Sequence, residues 1–266
     1  MREASPDGPH ATIEHGPRPD QSTTGRARPQ TATVDSDGQA VFSLSRAGVR
    51  RVVAWAILGL SAANALAHFV RLTFQPERGN ELIRLFRMDI ETSLPTWFSS
   101  TLLLVAAGLL AWISIDRPRT EARAWLGLAA VFVALAMDEA AGMHEMLIGP
   151  TRRLLGLGGY FAFAWVIPGA VFVVILTAIY ARHLLALPLA TKRAFALAAT
   201  LYLGGALGLE LIGAQLYYGH GADSVASLAV ASLEEMLELG GLAIFIDALL
   251  GYASSQRQLT QVRLGS

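Results

Sequence analysis

The chain has 266 residues, of which 53% are hydrophobic and 16% charged, with 21 Lys and Arg balancing 21 Asp and Glu and no cysteine. A soluble domain carries roughly 25% charged residues, so this composition excludes a soluble enzyme and a disordered regulator. Balanced charge leaves no basic footprint for nucleic acid, and the lack of cysteine excludes disulfides, thiolate metal sites and Cys nucleophiles.

Residues 1–48 hold five of the eleven prolines and no sustained apolar run. Such a stretch buries too little surface to offset its chain entropy, which predicts a disordered tail. A transmembrane domain is expected over 49–253 and a short tail over 254–266. Within the domain, apolar stretches long enough for a hydrocarbon core of about 30 Å recur six times, at roughly 52–71, 95–115, 124–147, 159–181, 194–217 and 224–251. The fold class is therefore all-α: a polytopic transmembrane helical bundle of about six spanning helices, since spanning segments must satisfy their backbone internally.

Lys and Arg are biased to one side. Arg46, Arg50, Arg51, Arg117, Arg119, Arg123, Arg182, Lys192, Arg193, Arg257 and Arg263 oppose Arg71, Arg78, Arg84, Arg87, Arg152 and Arg153. This predicts a cell-membrane protein with both termini cytoplasmic. The first outer loop contains ERGNELIRLFRM (77–88), which reads as a short amphipathic helix on the outer surface or packed against the bundle.

Ionisable groups inside spans are costly and face the bundle interior or a water-filled cavity. Span three reads AMDEAAGMHEMLI and carries Asp138, Glu139, His144 and Glu145; span five carries Glu210; span six carries Glu234, Glu235 and Glu238. As one helix, span three would place Asp138 and Glu145 about 20° apart on a common face, and Glu234, Glu238 and Glu235 would fall within about 100°. Their depths coincide in the outer half, with His68 of span one at a similar level. Seven carboxylates in one low-dielectric zone require protonation or cations.

The pattern predicts a divalent metal ion (Zn, Mn or Fe), with Asp138, His144, Glu145, Glu210, Glu238 and His68 as candidate metal ligands. Glu139, Glu234 and Glu235 are candidate catalytic groups, one of them a general base. Asp138, Glu145, Glu210 and Glu238 should converge while Asp247 stays apart. Asp89 and Glu91 fit helix-start chemistry, with Ser93 or Thr92 capping and Pro95 in the first turn; closing the cavity from above is their other reading.

Pro168-Gly169 predicts a kink in span four. Gly204, Gly205, Gly208, Gly240 and Gly241 would let spans five and six approach. Trp97, Trp112, Trp125, Trp165, Tyr160, Tyr217 and Tyr218 fall near span ends, as an aromatic belt does. No Walker loop, dinucleotide fingerprint, GxSxG or HExxH is present.

Three functions are compatible with these residues: a metal-dependent membrane enzyme acting on a lipid-like substrate, a cation- or proton-coupled transporter, and a non-catalytic scaffold with protonated acids. Whether the protein is an enzyme is left open. Membrane lipid and a metal ion are the expected partners, nucleic acid is not, and oligomeric state is not readable.

Overall fold

The computed structural model describes residues 33–34, 40–42, 45–74, 80–115, 117–157, 161, 163–255 and 262–263. Among them six helices are long and apolar enough to cross a membrane. They are α1 (Arg46–Phe74), α3 (Leu94–Ser114), α4 (Arg119–Ala141), α6 (Val166–Leu185), the continuous helix of α7 (Leu189–Leu203) and α8 (Glu210–His220), and α9 (Val225–Ser255). Two short helices, α2 (Glu81–Leu85) and α5 (Ile148–Leu155), lie between spans. The protein is thus an all-α, multi-pass helical bundle.

Outside the bundle, Thr33–Val34, Ala40–Phe42 and Val262–Arg263 pair as short antiparallel strands in that order. The rest of the stretch expected to be disordered, up to residue 44, lies outside the described residues.

Local sequence sets the helix ends. Ser93 caps α3, its Oγ accepting from Thr96 N at 3.4 Å, and Pro95 occupies the first turn, where its missing N–H costs nothing. Pro118 and Pro188 precede α4 and α7. Gly142 and Gly156 end α4 and α5 in the left-handed region at φ 57° and 63°, which glycine tolerates without a Cβ penalty.

Helices α3 and α9 form the centre. α3 packs on α4, and α9 on α7, α1 and α3. Leu103, Leu110, Ile113, Trp125, Leu239, Ile246 and Leu249 are sealed from solvent. Phe245 stacks on Phe132 at 4.8 Å and meets Phe195 at 4.7 Å. By contrast, Val166 alone is buried in α6, and α1 buries only Asn64, Ala67 and His68. Their outward Val, Leu and Ile side chains suit a lipid environment, where apolar exposure carries no penalty. Asn64 ties α1 to its neighbours: Nδ2 donates to Ser232 Oγ at 2.8 Å, and Oδ1 accepts from Met88 N at 2.9 Å.

Several expectations need correction. Span three stops at Ala141 instead of running to 147, because Gly142 turns the chain. Span four starts at Val166, so Pro168 sits in its first turn, where it fits a helix, and no mid-span kink is required. The outer-loop helix is confined to Glu81–Leu85. Trp125 is fully buried, against His183 and Tyr252, and belongs to the core instead of an aromatic belt.

Candidate functional site

A cavity of about 310 Å³ opens at the end of the bundle where α4 and α8 finish and α3 and α9 begin. Nine carboxylates line it: Asp89, Glu91, Asp138, Glu139, Glu145, Glu210, Glu234, Glu235 and Glu238. No lysine or arginine is among the described lining residues. Arg87 stands behind, engaged by Asp89 through its Nε at 2.9 Å and through Nη2.

One wall is built by the turn after α4. Gly142 and Met143 both direct their N–H groups back to the Asp138 carbonyl, and a 3-10 turn, His144–Leu147, comes next. The chain thereby folds His144 back over Asp138. The His144 N–H donates to Asp138 Oδ1 at 2.6 Å, and Nδ1 lies 3.1 Å from Oδ2. Glu91 packs over the same turn, with Oε1 3.8 Å from His144 Nε2. A Cβ on Gly142 would stand 1.9 Å from Glu91 Oε2, so any other residue there would make the Glu91 carboxylate swing away.

His144 and Glu91 lie outside the spans, and both titrate above their ordinary values. Burial lowers the imidazole, but the hydrogen bond and charge of Asp138, with the charges of Glu91 and Glu210, outweigh it. Burial raises Glu91, helped by the charge of Glu145 and opposed by His144.

The opposite wall is α8. A π-helical stretch, Gly204–Leu209, joins it to α7; such wide turns insert a residue and re-aim the side chains beyond it. Glu210 begins α8 just after it and accepts from Trp165 Nε1 at 2.8 Å. The Trp165 ring in turn packs 4.5 Å from that of His144. Within the stretch, a Cβ on Gly205 would meet Glu234 O at 2.8 Å and Glu238 Cγ at 3.0 Å, so α9 rests on bare backbone there. Gly241 does the same against Ala198 O and Tyr202 N. Gly204, Gly208 and Gly240 face open space and do not mediate the contact expected of them.

The floor comes from α9. At 1.5 Å per residue, Glu234 stands about 14 Å and Glu238 about 20 Å inside its first residue. Glu238 is 8% exposed, and its charged neighbours Glu235, Glu139, Glu234 and Glu210 are all acidic. Oε2 of Glu235 is buried without a hydrogen-bond partner among the described residues. Beyond Glu238 the helix continues with Leu239, Leu242, Ile246 and Leu249, all packed in the core.

Asp138, Glu139, His144, Glu145, Glu210, Glu234, Glu235 and Glu238 all line this one cavity. His68 is not among the lining residues; it sits behind Asp89, Nε2 to Oδ1 3.7 Å. Asp247 stays apart, bound to Arg46 near the other end of α9. The route to this convergence differs from a shared helix face. His144 and Glu145 are off the α4 helix, and the turn delivers them.

Phe163, Trp165, Tyr202 and Tyr217 also line the cavity, and sequence reasoning missed that role. Trp165 and Tyr217 carry the same signal as interfacial aromatics, and Tyr202 carries none. As the side chains stand, no group of three or more His, Asp or Glu among the described residues converges closely enough to hold a metal ion. The acids come from separate elements and are spread around the cavity wall.

No curated protein and no solved structure matches the chain. The family described as Domain of unknown function (DUF8692) matches residues 44–252, most of the sequence, and the chain belongs to that family.

Proposed function

We propose that this multi-pass membrane protein binds a cation in the acidic cavity, on the side of the membrane away from its termini. The observation that carries the reading is the ring of nine carboxylates with no lysine or arginine among the described lining residues. Acids drawn from α4, α8, α9 and the segment before α3 repel one another in a medium of low dielectric, and a bound cation relieves that repulsion. The Lys and Arg bias favours cytoplasmic termini, which leaves the cavity facing outward. Apolar packing below Glu238 favours a one-sided site over a conduit.

Thermal unfolding in detergent tests this reading, with Mn, Zn, Ca and organic ammonium salts titrated at constant ionic strength. Saturable stabilisation by at least one cation is expected, and Glu234→Gln/Glu238→Gln should abolish it. A protein that no cation stabilises, and that the double substitution makes more stable, would be a scaffold of protonated acids.

His144 favours a second reading, a divalent metal ion serving a membrane enzyme on a lipid-like substrate. An imidazole flanked by Asp138 and Glu91 supplies the mixed nitrogen and oxygen donors that Zn, Mn or Fe prefer. The carboxylates would have to close on the ion. Elemental analysis of purified protein beside Glu145→Gln tests it: stoichiometric metal lost in the variant supports the site, and none in either protein removes it.

A further inference from the structure

We infer that the cation is an aliphatic di- or polyamine whose primary ammonium groups bridge the mouth and the floor of the cavity. This rests on the cation-binding reading above and names its ligand.

Three observations lead there. The acids are graded along the cavity: Glu145 is exposed and Glu91 half-buried at the mouth, whereas Glu238 is buried on the floor. No three donors converge on one point among the described residues, which suits separated charges on one molecule better than a single compact ion.

Second, the walls between the acids are aromatic and apolar, with Phe163, Trp165, Tyr202, Tyr217, Leu228 and Ala231 in the lining. A hydrated metal ion gains nothing from such walls. Methylene groups gain burial there, and an ammonium gains attraction to ring faces.

Third, the floor asks for hydrogen-bond donors. Oε2 of Glu235 is buried and unpartnered among the described residues, and the charged groups around Glu238 are carboxylates. A primary ammonium brings three N–H donors on one positive charge. A quaternary ammonium brings the charge without the donors. The cavity, at about 310 Å³, falls within the range of small-ligand sites, about 300–1,000 Å³.

The test is equilibrium titration of the full chain in nanodiscs of zwitterionic lipid, which do not themselves attract polyamines. Spermidine, putrescine, the bis-quaternary hexamethonium and MnCl₂ serve as probes. Putrescine, which carries the same two charges as hexamethonium, should bind at least tenfold tighter than hexamethonium, and saturable spermidine binding is expected. Glu235→Gln and Glu238→Gln should each weaken it at least tenfold, while Asp247→Asn leaves it unchanged. If Glu238→Gln does not fold, Glu235→Gln and the comparison of putrescine with hexamethonium still decide.

Equal binding of putrescine and hexamethonium overturns the donor argument. Saturable manganese binding that spermidine does not displace overturns the amine while leaving a cation site. Absence of binding by all four overturns the amine, and the Zn and Ca titrations of thermal unfolding then decide the cation reading.

Discussion

Asp138 holds His144 twice, accepting from its backbone N–H at 2.6 Å and lying 3.1 Å from its Nδ1. Six residues apart in sequence, the two meet because the chain leaves the α4 helix between them. The contact fixes the imidazole orientation and its protonation together. Asp138→Asn should keep the backbone bond and lose the charge, lowering the His144 pKa. A histidine titration followed by NMR on selectively labelled protein checks this, and an unchanged midpoint would sink the assignment.

His144 and Glu91 both titrate above their ordinary values of 6.5 and 4.5. The folded protein therefore binds these protons more readily than the unfolded chain. Their contribution to stability is complete below the ordinary values and is lost as pH rises through the raised ones. Unfolding temperature should thus fall as pH climbs above 4.5 for Glu91 and above 6.5 for His144. In His144→Gln the fall above 6.5 should be shallower than in wild type; a profile identical to wild type counts against it.

Gly142 is favoured by its φ of 57°, and a Cβ there would also displace the Glu91 carboxylate. A left-handed alanine costs about 1–2 kcal/mol, and displacing Glu91 adds to that. Gly142→Ala should lower stability in a denaturant titration and open the mouth of the cavity. Gly204→Ala, which meets nothing within 4 Å, is the control and should fall far short of that loss.

Gly205 lets α9 rest against the π-helical stretch. A valine there must push Glu234 O or Glu238 aside, and overpacking of this kind costs about 1–3 kcal/mol. Cation binding should weaken in Gly205→Val because the floor acid moves. Calorimetric titration that finds wild-type affinity would refute the role given to this contact.

Asn64 offers a test of how α1 is tied to the bundle. It is 3% exposed and satisfies the Met88 N–H and the Ser232 hydroxyl. Asn64→Ala strands a buried donor, at about 1–3 kcal/mol. Asp247→Asn breaks only a partly exposed pair with Arg46, and pairs near the surface contribute about 1 kcal/mol or less. Melting curves should therefore rank Asn64→Ala as the more damaging change.

Much of this was legible in the sequence for reasons that are local. Six apolar runs of spanning length imply six helices whatever their packing, because hydrocarbon leaves the backbone no other partner. Ser93 and Pro95 announce the start of α3 by their own chemistry. Acids inside spans must avoid lipid, so Glu210, Glu234 and Glu238 had to face inward. The convergence of most of the candidate residues comes from that constraint.

What only the tertiary structure decided is where the chain departs from ideal helix. A glycine at position 142 can sit within a helix or end one, and hydropathy does not distinguish the two. Its φ of 57° moves His144 and Glu145 from a helix face to a turn. Gly205 touches α9 while Gly204 and Gly208 do not, a choice made by the rotation of the π-helical stretch. Trp125 and Trp165 carry the same residue type near span ends, yet one fills the core and the other bonds Glu210. Which side of a helix meets a neighbour depends on its rotation about its axis, and that is set by packing between helices distant in sequence.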